Sequence, residues 1–88
     1  MPRMVIIHDV VDVERWLEGK DERSGALGAV GSDVTDHVAA DGSNRIAVSA
    51  TIHDMDALQG LLDSPPPEVV ALMEAHGVVP PFTVYVER

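Results

Sequence analysis

The tripeptide Ile-His-Asp occurs twice in this chain, at residues 7–9 and at residues 52–54. Each copy closes an apolar, strand-like segment and precedes a helix-like one. A histidine side chain titrates near neutral pH, so it can move a proton or bind a ligand. His8 and His53 are therefore the candidate catalytic residues, and the repeat predicts two similar β-α units.

The first of these units is predicted over residues 4–30. Residues 4–7 form a continuous apolar run rich in β-branched side chains, typical of a strand that is covered on both faces. Asp12 is a suitable N-cap for a helix that carries Trp16 on its inward face. Glycines weaken the helix propensity toward its end, so this helix is predicted to stop between Arg23 and Val30.

An antiparallel hairpin is predicted next. Residues 34–39 and 45–52 have strand-like patterns, and they flank the sequence Asp-Gly-Ser-Asn at residues 41–44. Asp-Gly favours a tight hairpin turn because glycine accepts a positive φ.

The second helical region is predicted to begin with Asp54 or Asp56 as its N-cap. Ser64, followed by three prolines, is expected to interrupt the helix and restart it with the serine as N-cap. Gly77 suits the position just after the helix end. The pair Pro80-Pro81 is then expected to turn the chain into a last strand.

The resulting order, β-α-β-β-α-β, predicts an α+β, ferredoxin-like fold with a four-stranded antiparallel sheet, as a single domain over residues 1–88. In this topology we expect the first and third strands to lie side by side and parallel in the middle of the sheet. Their C-terminal ends would then meet, which predicts that His8 and His53 are neighbours.

Composition excludes several classes of partner. The chain has 15 Asp and Glu residues against 6 Lys and Arg, and its net charge of −9 repels nucleic acids and anionic membranes. The absence of cysteine excludes disulfides and thiolate chemistry. No apolar run has the length of a membrane span, and the N-terminal segment is too short for a signal sequence, so the cytoplasm is the expected location.

The chain resembles the small ferredoxin-like proteins of the dimeric α+β barrel superfamily, which includes antibiotic-biosynthesis-type monooxygenases, haem-degrading monooxygenases and cyclase-like domains. More narrowly, it is similar to a short, largely uncharacterised bacterial branch often labelled cyclase. The resemblance covers nearly the whole chain and rests on residues 8–12 followed by Trp16, on residues 41–44, on Ser64-Pro65, and on residues 77–81. The proline run 65–67 is longer than the family's usual Ser-Pro joint.

The resemblance implies a homodimer whose two sheets face each other to close a barrel, with a cavity between sheet and helices in each subunit. The composition agrees, because both faces of the first strand are apolar and helices can cover only one. In the haem-degrading relatives, pocket residues lie near the ends of the first and third strands, where His8 and His53 stand here. The Asn and Trp of those relatives are absent, which disfavours haem degradation and weakens the case for cofactor-free oxygenation.

These features leave two functions open. One is a cofactor-independent cyclase or monooxygenase-like enzyme acting on an aromatic or polyketide-like small molecule, with the histidine pair moving protons. The other is a non-catalytic structural or ligand-binding dimer, in which His8 and His53 merely finish their strands. A metal site is not predicted, because adjacent His and Asp residues in a strand point to opposite faces.

The aromatic residues and the other histidines have structural alternatives. Trp16 is predicted to pack in the core or to line the ligand pocket. Tyr85 is predicted to lie in the dimer core first, and to contact the ligand second. His37 is expected to have a structural or solvent-facing role on the sheet, and His76 is explained by the preference for a cation at a helix C-terminus.

Overall fold

The computed structural model describes residues 2–88, in which four helices pack on one face of a four-stranded sheet. The strands are β1 (Arg3–Val10), β2 (Gly31–Val38), β3 (Arg45–Ile52) and β4 (Val78–Val86), and the helices are α1 (Val13–Glu18), α2 (Lys20–Leu27), α3 (Met55–Asp63) and α4 (Pro67–Ala75). The strand order is β2-β3-β1-β4, and every neighbouring pair is antiparallel. The predicted ferredoxin-like fold is therefore confirmed. Met1, which the predicted domain includes, lies outside the described residues.

The direction of β3 corrects the sequence-based prediction for the two histidines. β1 and β3 are neighbours but antiparallel, with Arg3 opposite Thr51 and His8 opposite Ile46. Because the two strands run in opposite directions, the C-terminal end of β3 lies beside the start of β1. His8 and His53 consequently lie at opposite ends of the sheet, and the prediction that they are neighbours is wrong.

Alternate residues of β1 divide the sheet into a covered face and an open face. Met4, Ile6, His8 and Val10 are buried beneath the helices, whereas the residues between them point to the open face. The covered face supports two apolar clusters, one with Leu58 of α3 and one with Trp16 of α1. The predicted inward position of Trp16 is confirmed.

Two of the predicted helix starts are confirmed by their capping bonds. Asp12 Oδ1 accepts hydrogen bonds from the backbone N–H groups of Glu14 (2.9 Å) and Arg15 (3.3 Å). Asp54 Oδ1 accepts one from Ala57 (3.0 Å). The first helical region is divided at Gly19, which ends α1 and begins α2. None of the helices in residues 2–88 combines the length and the apolarity needed to cross a membrane.

The predicted boundaries in the second half are corrected at the prolines. Ser64 ends α3, and Pro66 rather than Ser64 is the N-cap of α4. Pro80 and Pro81 lie inside β4, which begins at Val78. β4 is an edge strand, where a residue without an N–H group is tolerated. Gly77 follows His76, the C-cap of α4, and has φ +72, which confirms the predicted helix end.

β2 begins three residues earlier than predicted, at Gly31 rather than at residue 34. Its pairing with β3 shifts register between Ser32 and Thr35, and Asp33 in between has φ 54. A Gly-Ser-Asp sequence is typical of a loop, but here it forms an irregular strand start against β3.

We predict that Gly19→Ala destabilises the fold by about 1–3 kcal/mol, because a Cβ there would overlap the buried ring of His76. Gly25→Ala in α2 is the matched control, since a Cβ at Gly25 meets nothing within 4 Å, and it should stabilise the protein by about 0.5–1 kcal/mol. Urea unfolding measures both changes. Equal stability of the two variants would contradict the packing role of Gly19.

Candidate ligand site

A cavity of about 130 Å³ lies between the covered face of the sheet and helices α2, α3 and α4. Its walls are aliphatic side chains of these elements together with Phe82 of β4. Among the described residues that line it, only His8 and Arg23 are polar. An apolar cavity with a few convergent polar groups is the usual form of a small-molecule site.

The size of the cavity limits what it can enclose. A protein cavity of roughly 150 Å³ lined by aliphatic and aromatic side chains holds a benzene molecule. The volume of about 130 Å³ is close to this value and therefore suits a body of about one six-membered ring. The cavity is partly open, so a larger skeleton would extend beyond this volume toward solvent.

His8 brings the imidazole to the cavity from the covered face of β1, with only 6% of the residue exposed. Its Nδ1 donates a hydrogen bond to the carbonyl oxygen of Asp9 (2.9 Å). The ring packs edge-to-face against Phe82, with 5.2 Å between ring centroids, and against Trp16 at 6.3 Å. Within residues 2–88 no hydrogen bond is made by Nε2, so this nitrogen is available to a ligand.

The protonation of His8 follows from its burial. Burial in the apolar wall lowers the pKa of His8 from its ordinary value, and the hydrogen bond to the Asp9 carbonyl opposes this effect without cancelling it. With Nδ1 carrying the proton, the neutral ring presents the lone pair of Nε2. The site therefore offers a hydrogen-bond acceptor or a base to whatever occupies the cavity.

Arg23 of α2 is the second polar group, and only 8% of the residue is exposed. Its Nη2 donates to Oδ2 of Asp36 at 2.9 Å, and Nη1 donates to the carbonyl oxygen of Trp16 and to Nδ1 of His76 (3.3 Å). The guanidinium carbon lies 3.9 Å from the centre of the Trp16 ring. A buried cation needs such partners, because leaving it unpaired costs several kcal/mol.

The cluster around Arg23 has more hydrogen-bonding capacity than its partners use. Three of its fully buried polar atoms have no partner within residues 2–88: Nε1 of Trp16, Nε of Arg23 and Oδ1 of Asp36. Buried polar groups are normally satisfied by protein or by ordered water. This cluster therefore has unused hydrogen-bonding capacity in its fully buried interior.

The other predicted catalytic residue does not reach the cavity. His53 is exposed one residue beyond the end of β3, and its Nε2 lies 2.9 Å from the hydroxyl of Ser32. The structure thus brings only one histidine of the repeated tripeptide to the candidate site. Asp9, from the first copy, is exposed and pairs with Arg45 at 3.4 Å.

The predicted ligand contacts lie in different places. Trp16 is fully buried behind His8 and Arg23 and is not among the residues that line the cavity. Tyr85 lies on the open face of the sheet, opposite Val5 and 59% exposed. The open face is opposite the cavity, so Tyr85 cannot contact a ligand held there.

The remaining histidines lie on opposite sides of the molecule. His37 is on the open face, with its Nε2 3.0 Å from the hydroxyl of Ser49. His76 ends α4 as predicted, but it is buried, and its Nδ1 accepts a hydrogen bond from Arg23. The preference for a cation at a helix end is therefore not its only explanation.

Sequence reasoning missed Arg23 and Asp36, although two signals were present. Arg23 follows Trp16 by seven residues, a spacing that puts both on one face of the single helix predicted from the sequence. Asp36 stands between Val34 and Val38 on the inward face of β2, where a carboxylate needs a buried partner. Neither signal identifies the partner, because the two residues belong to different elements.

No group of three or more His, Asp or Glu side chains in residues 2–88 is arranged to hold a metal ion. The polar side chains that line the cavity in this part of the chain are those of His8 and Arg23.

Neither a protein-family model nor a curated protein sequence matches this chain. Solved structures match its fold. An antibiotic biosynthesis monooxygenase aligns with a TM-score of 0.66 at 12% identity, covering 100% of this chain and 97% of the other. SnoaB, a cofactor-independent oxygenase from Streptomyces nogalater, aligns with a TM-score of 0.65 at 18% identity, covering 99% and 92%. A dimeric ferredoxin-like protein from an uncultured marine organism aligns with a TM-score of 0.58 at 11% identity, covering 97% and 91%.

At these identities the likeness establishes the fold. The fold is the one expected from the resemblance to antibiotic-biosynthesis-monooxygenase-like proteins, so that expectation is confirmed at the level of the fold. What these proteins act on is a separate question for this chain.

We predict that the His8 ring titrates with a midpoint below its ordinary pKa of 6.5, because burial disfavours the imidazolium. The ring is then neutral at pH 7, and it loses its free acceptor nitrogen as the pH falls through this midpoint. The proton chemical shift at Cε1, followed by NMR across pH, measures the midpoint, and its absence from the spectrum of His8→Phe assigns the signal. A midpoint at or above 6.5 would contradict the prediction.

Proposed function

We propose that this chain is a homodimeric protein that binds a small, largely apolar molecule in the cavity of each subunit, with His8 as its polar contact. The observation that carries the proposal is a buried imidazole whose Nε2 has no partner within residues 2–88, set in an otherwise apolar wall. An unpaired acceptor in such a place favours a ligand that brings a hydrogen-bond donor.

The finer proposal is enzymatic. A neutral imidazole can remove a proton from a ligand hydroxyl, or from a carbon next to a carbonyl group. Deprotonation at carbon gives an enolate, which can attack a second carbonyl of the same molecule to form the new carbon–carbon bond of a ring, and the hydroxyl formed is then lost as water. Alternatively the deprotonated substrate supplies the electrons that reduce O2, so that one oxygen atom bonds to a substrate carbon and the other leaves as water. The likeness in fold to SnoaB, which is described as a cofactor-independent oxygenase, supports this choice of chemistry. The cavity volume favours an aromatic substrate of about one ring over a polyketide-like one.

The alternative is a dimer that binds its ligand without reacting with it. One observation favours this alternative: His53 does not reach the cavity, so His8 has no second imidazole as acid partner. The mass of the bound molecule after incubation in air distinguishes the two functions. A gain of oxygen or a loss of water indicates catalysis, and an unchanged mass indicates binding alone.

The homodimer is proposed through the open face of the sheet. Val5, Ile7 and Ala47 lie there as half-buried apolar side chains, and Tyr85 stands opposite Val5. Apolar side chains on a face without helices favour burial against a second copy. A solved structure of similar fold is described as dimeric.

One domain per chain, a cytoplasmic location and the lack of a nucleic-acid partner stay predictions from the sequence.

We predict that the freshly purified protein retains a small molecule, observed by native mass spectrometry as added mass that denaturation releases. Ala26→Leu, which fills the cavity wall, should abolish the retention, whereas Ala71→Leu on the exposed side of α4 should not. His8→Phe should weaken the binding of added phenol by up to about tenfold, since one hydrogen bond is lost. Equal retention by the Ala26 and Ala71 variants would contradict the proposed site.

We predict that Val5→Lys raises the dissociation constant of the dimer by about a hundredfold or more, because it places an unpaired charge in a buried interface. Val70→Lys, on the helical side of the molecule, is the matched control and should leave the dimer intact. Sedimentation velocity at micromolar concentration measures both. A wild-type chain that sediments as a monomer would refute the homodimer.

A further inference from the structure

Arg23 is a second polar anchor of the cavity, which the proposed function does not yet use. It lines the cavity with His8, and both residues are more than nine-tenths buried. The other walls are apolar, so among the described lining residues these two are the ones whose side chains can hydrogen-bond a ligand.

The guanidinium of Arg23 has hydrogen-bond donors to spare. Of its five N–H groups, three are used by the carbonyl oxygen of Trp16, by Nδ1 of His76 and by Oδ2 of Asp36. Two therefore lack an acceptor within residues 2–88: the N–H on Nε, which is fully buried, and the second N–H on Nη2. Stacking on the Trp16 ring fixes the plane of the group, so this donor capacity is held in one orientation.

The charge of Arg23 reaches His8. Burial is the first cause of the lowered pKa of His8, the Asp9 carbonyl opposes it, and the positive charge of Arg23 lowers it further. Both side chains line the same cavity. The carboxylate of Asp36 lies 2.9 Å from the guanidinium of Arg23 and balances its charge. The pair therefore has no net positive charge to attract an anion, and Arg23 can act on a ligand only as a hydrogen-bond donor.

We propose that Arg23 is a specificity-determining residue and that the cavity takes a neutral, ring-sized molecule with two oxygen functions. One is a hydroxyl that donates to Nε2 of His8, and the other is an oxygen that accepts from the guanidinium of Arg23. This inference rests on the proposed function, since it names the ligand class of the same cavity.

The test compares phenol with catechol, resorcinol and hydroquinone by anaerobic titration calorimetry on the full chain. Phenol supplies only the hydroxyl for His8, whereas each dihydroxybenzene adds a second oxygen at a different spacing. At least one isomer should bind about tenfold more tightly than phenol, because a hydrogen bond to a charged donor is gained. The preferred isomer reports the spacing between the two anchors.

The double variant Arg23→Met with Asp36→Leu removes the anchor without leaving a buried charge unpaired. It should lose the preference for the second oxygen, measured as the ratio of its own affinities for each dihydroxybenzene and for phenol. Arg23→Lys is the second variant. It keeps the positive charge but replaces the planar guanidinium with an ammonium group, and it should reduce the same preference. His8→Phe should weaken all four probes together, and circular dichroism verifies the fold of each variant.

The outcomes separate the two proposals. Phenol binding with no isomer preferred, or a preference that survives loss of Arg23, would overturn the role of Arg23 and leave the His8 cavity standing. Failure of all four probes to bind the wild-type protein would overturn both. A preference that disappears with Arg23 while phenol still binds supports both.

Discussion

The buried ion pair between Arg23 and Asp36 is the constraint on which this arrangement depends. Its two side chains are 10% and 4% exposed, so the free energy of desolvating both charges must be offset by close contact and by further hydrogen bonds. Arg23 obtains them from the Trp16 carbonyl and His76, which connects α2 to α1, β2 and the end of α4. One side chain therefore fixes the positions of four elements around the cavity.

The outer wall of the cavity is held less tightly than its polar side. α4 has no fully buried residue, and its contributions to the cavity are half-buried aliphatic side chains. Its C-terminal end is fixed by Arg15, which donates to the carbonyl oxygens of Glu74 (3.0 Å) and Ala75 (2.8 Å). The cavity thus lies between the hydrogen-bonded cluster around Arg23 and a helix, α4, that packs mainly through partly exposed side chains. Local openings that admit a ligand are drawn from such weakly packed elements.

Sequence patterns predicted the features that depend on neighbouring residues. Asp12 and Asp54 cap helices because the capping oxygen and the amides it accepts lie within three residues of each other. The end of α4 at Ala75 depends likewise on one local φ value, that of Gly77 just after the C-cap His76. The pairing of Arg23 with Asp36 was not predictable in this way, because two separate elements must first be brought together. The break at Gly19 has the same origin, since it makes room for the ring of His76 from α4.

The repeated tripeptide shows why the same local sequence yields different chemistry. β1 continues for two residues after His8, so the ring lies within the sheet and faces the helices. β3 ends at Ile52, so His53 follows the sheet and faces solvent. Burial, which lowers the pKa of His8, comes from strand length and from the face of the sheet, and neither is encoded in Ile-His-Asp. A shift of one residue in the pairing of β1 would move His8 to the open face and place Ile7 on the covered face instead. The chemistry of the site therefore depends on strand register before it depends on the presence of histidine.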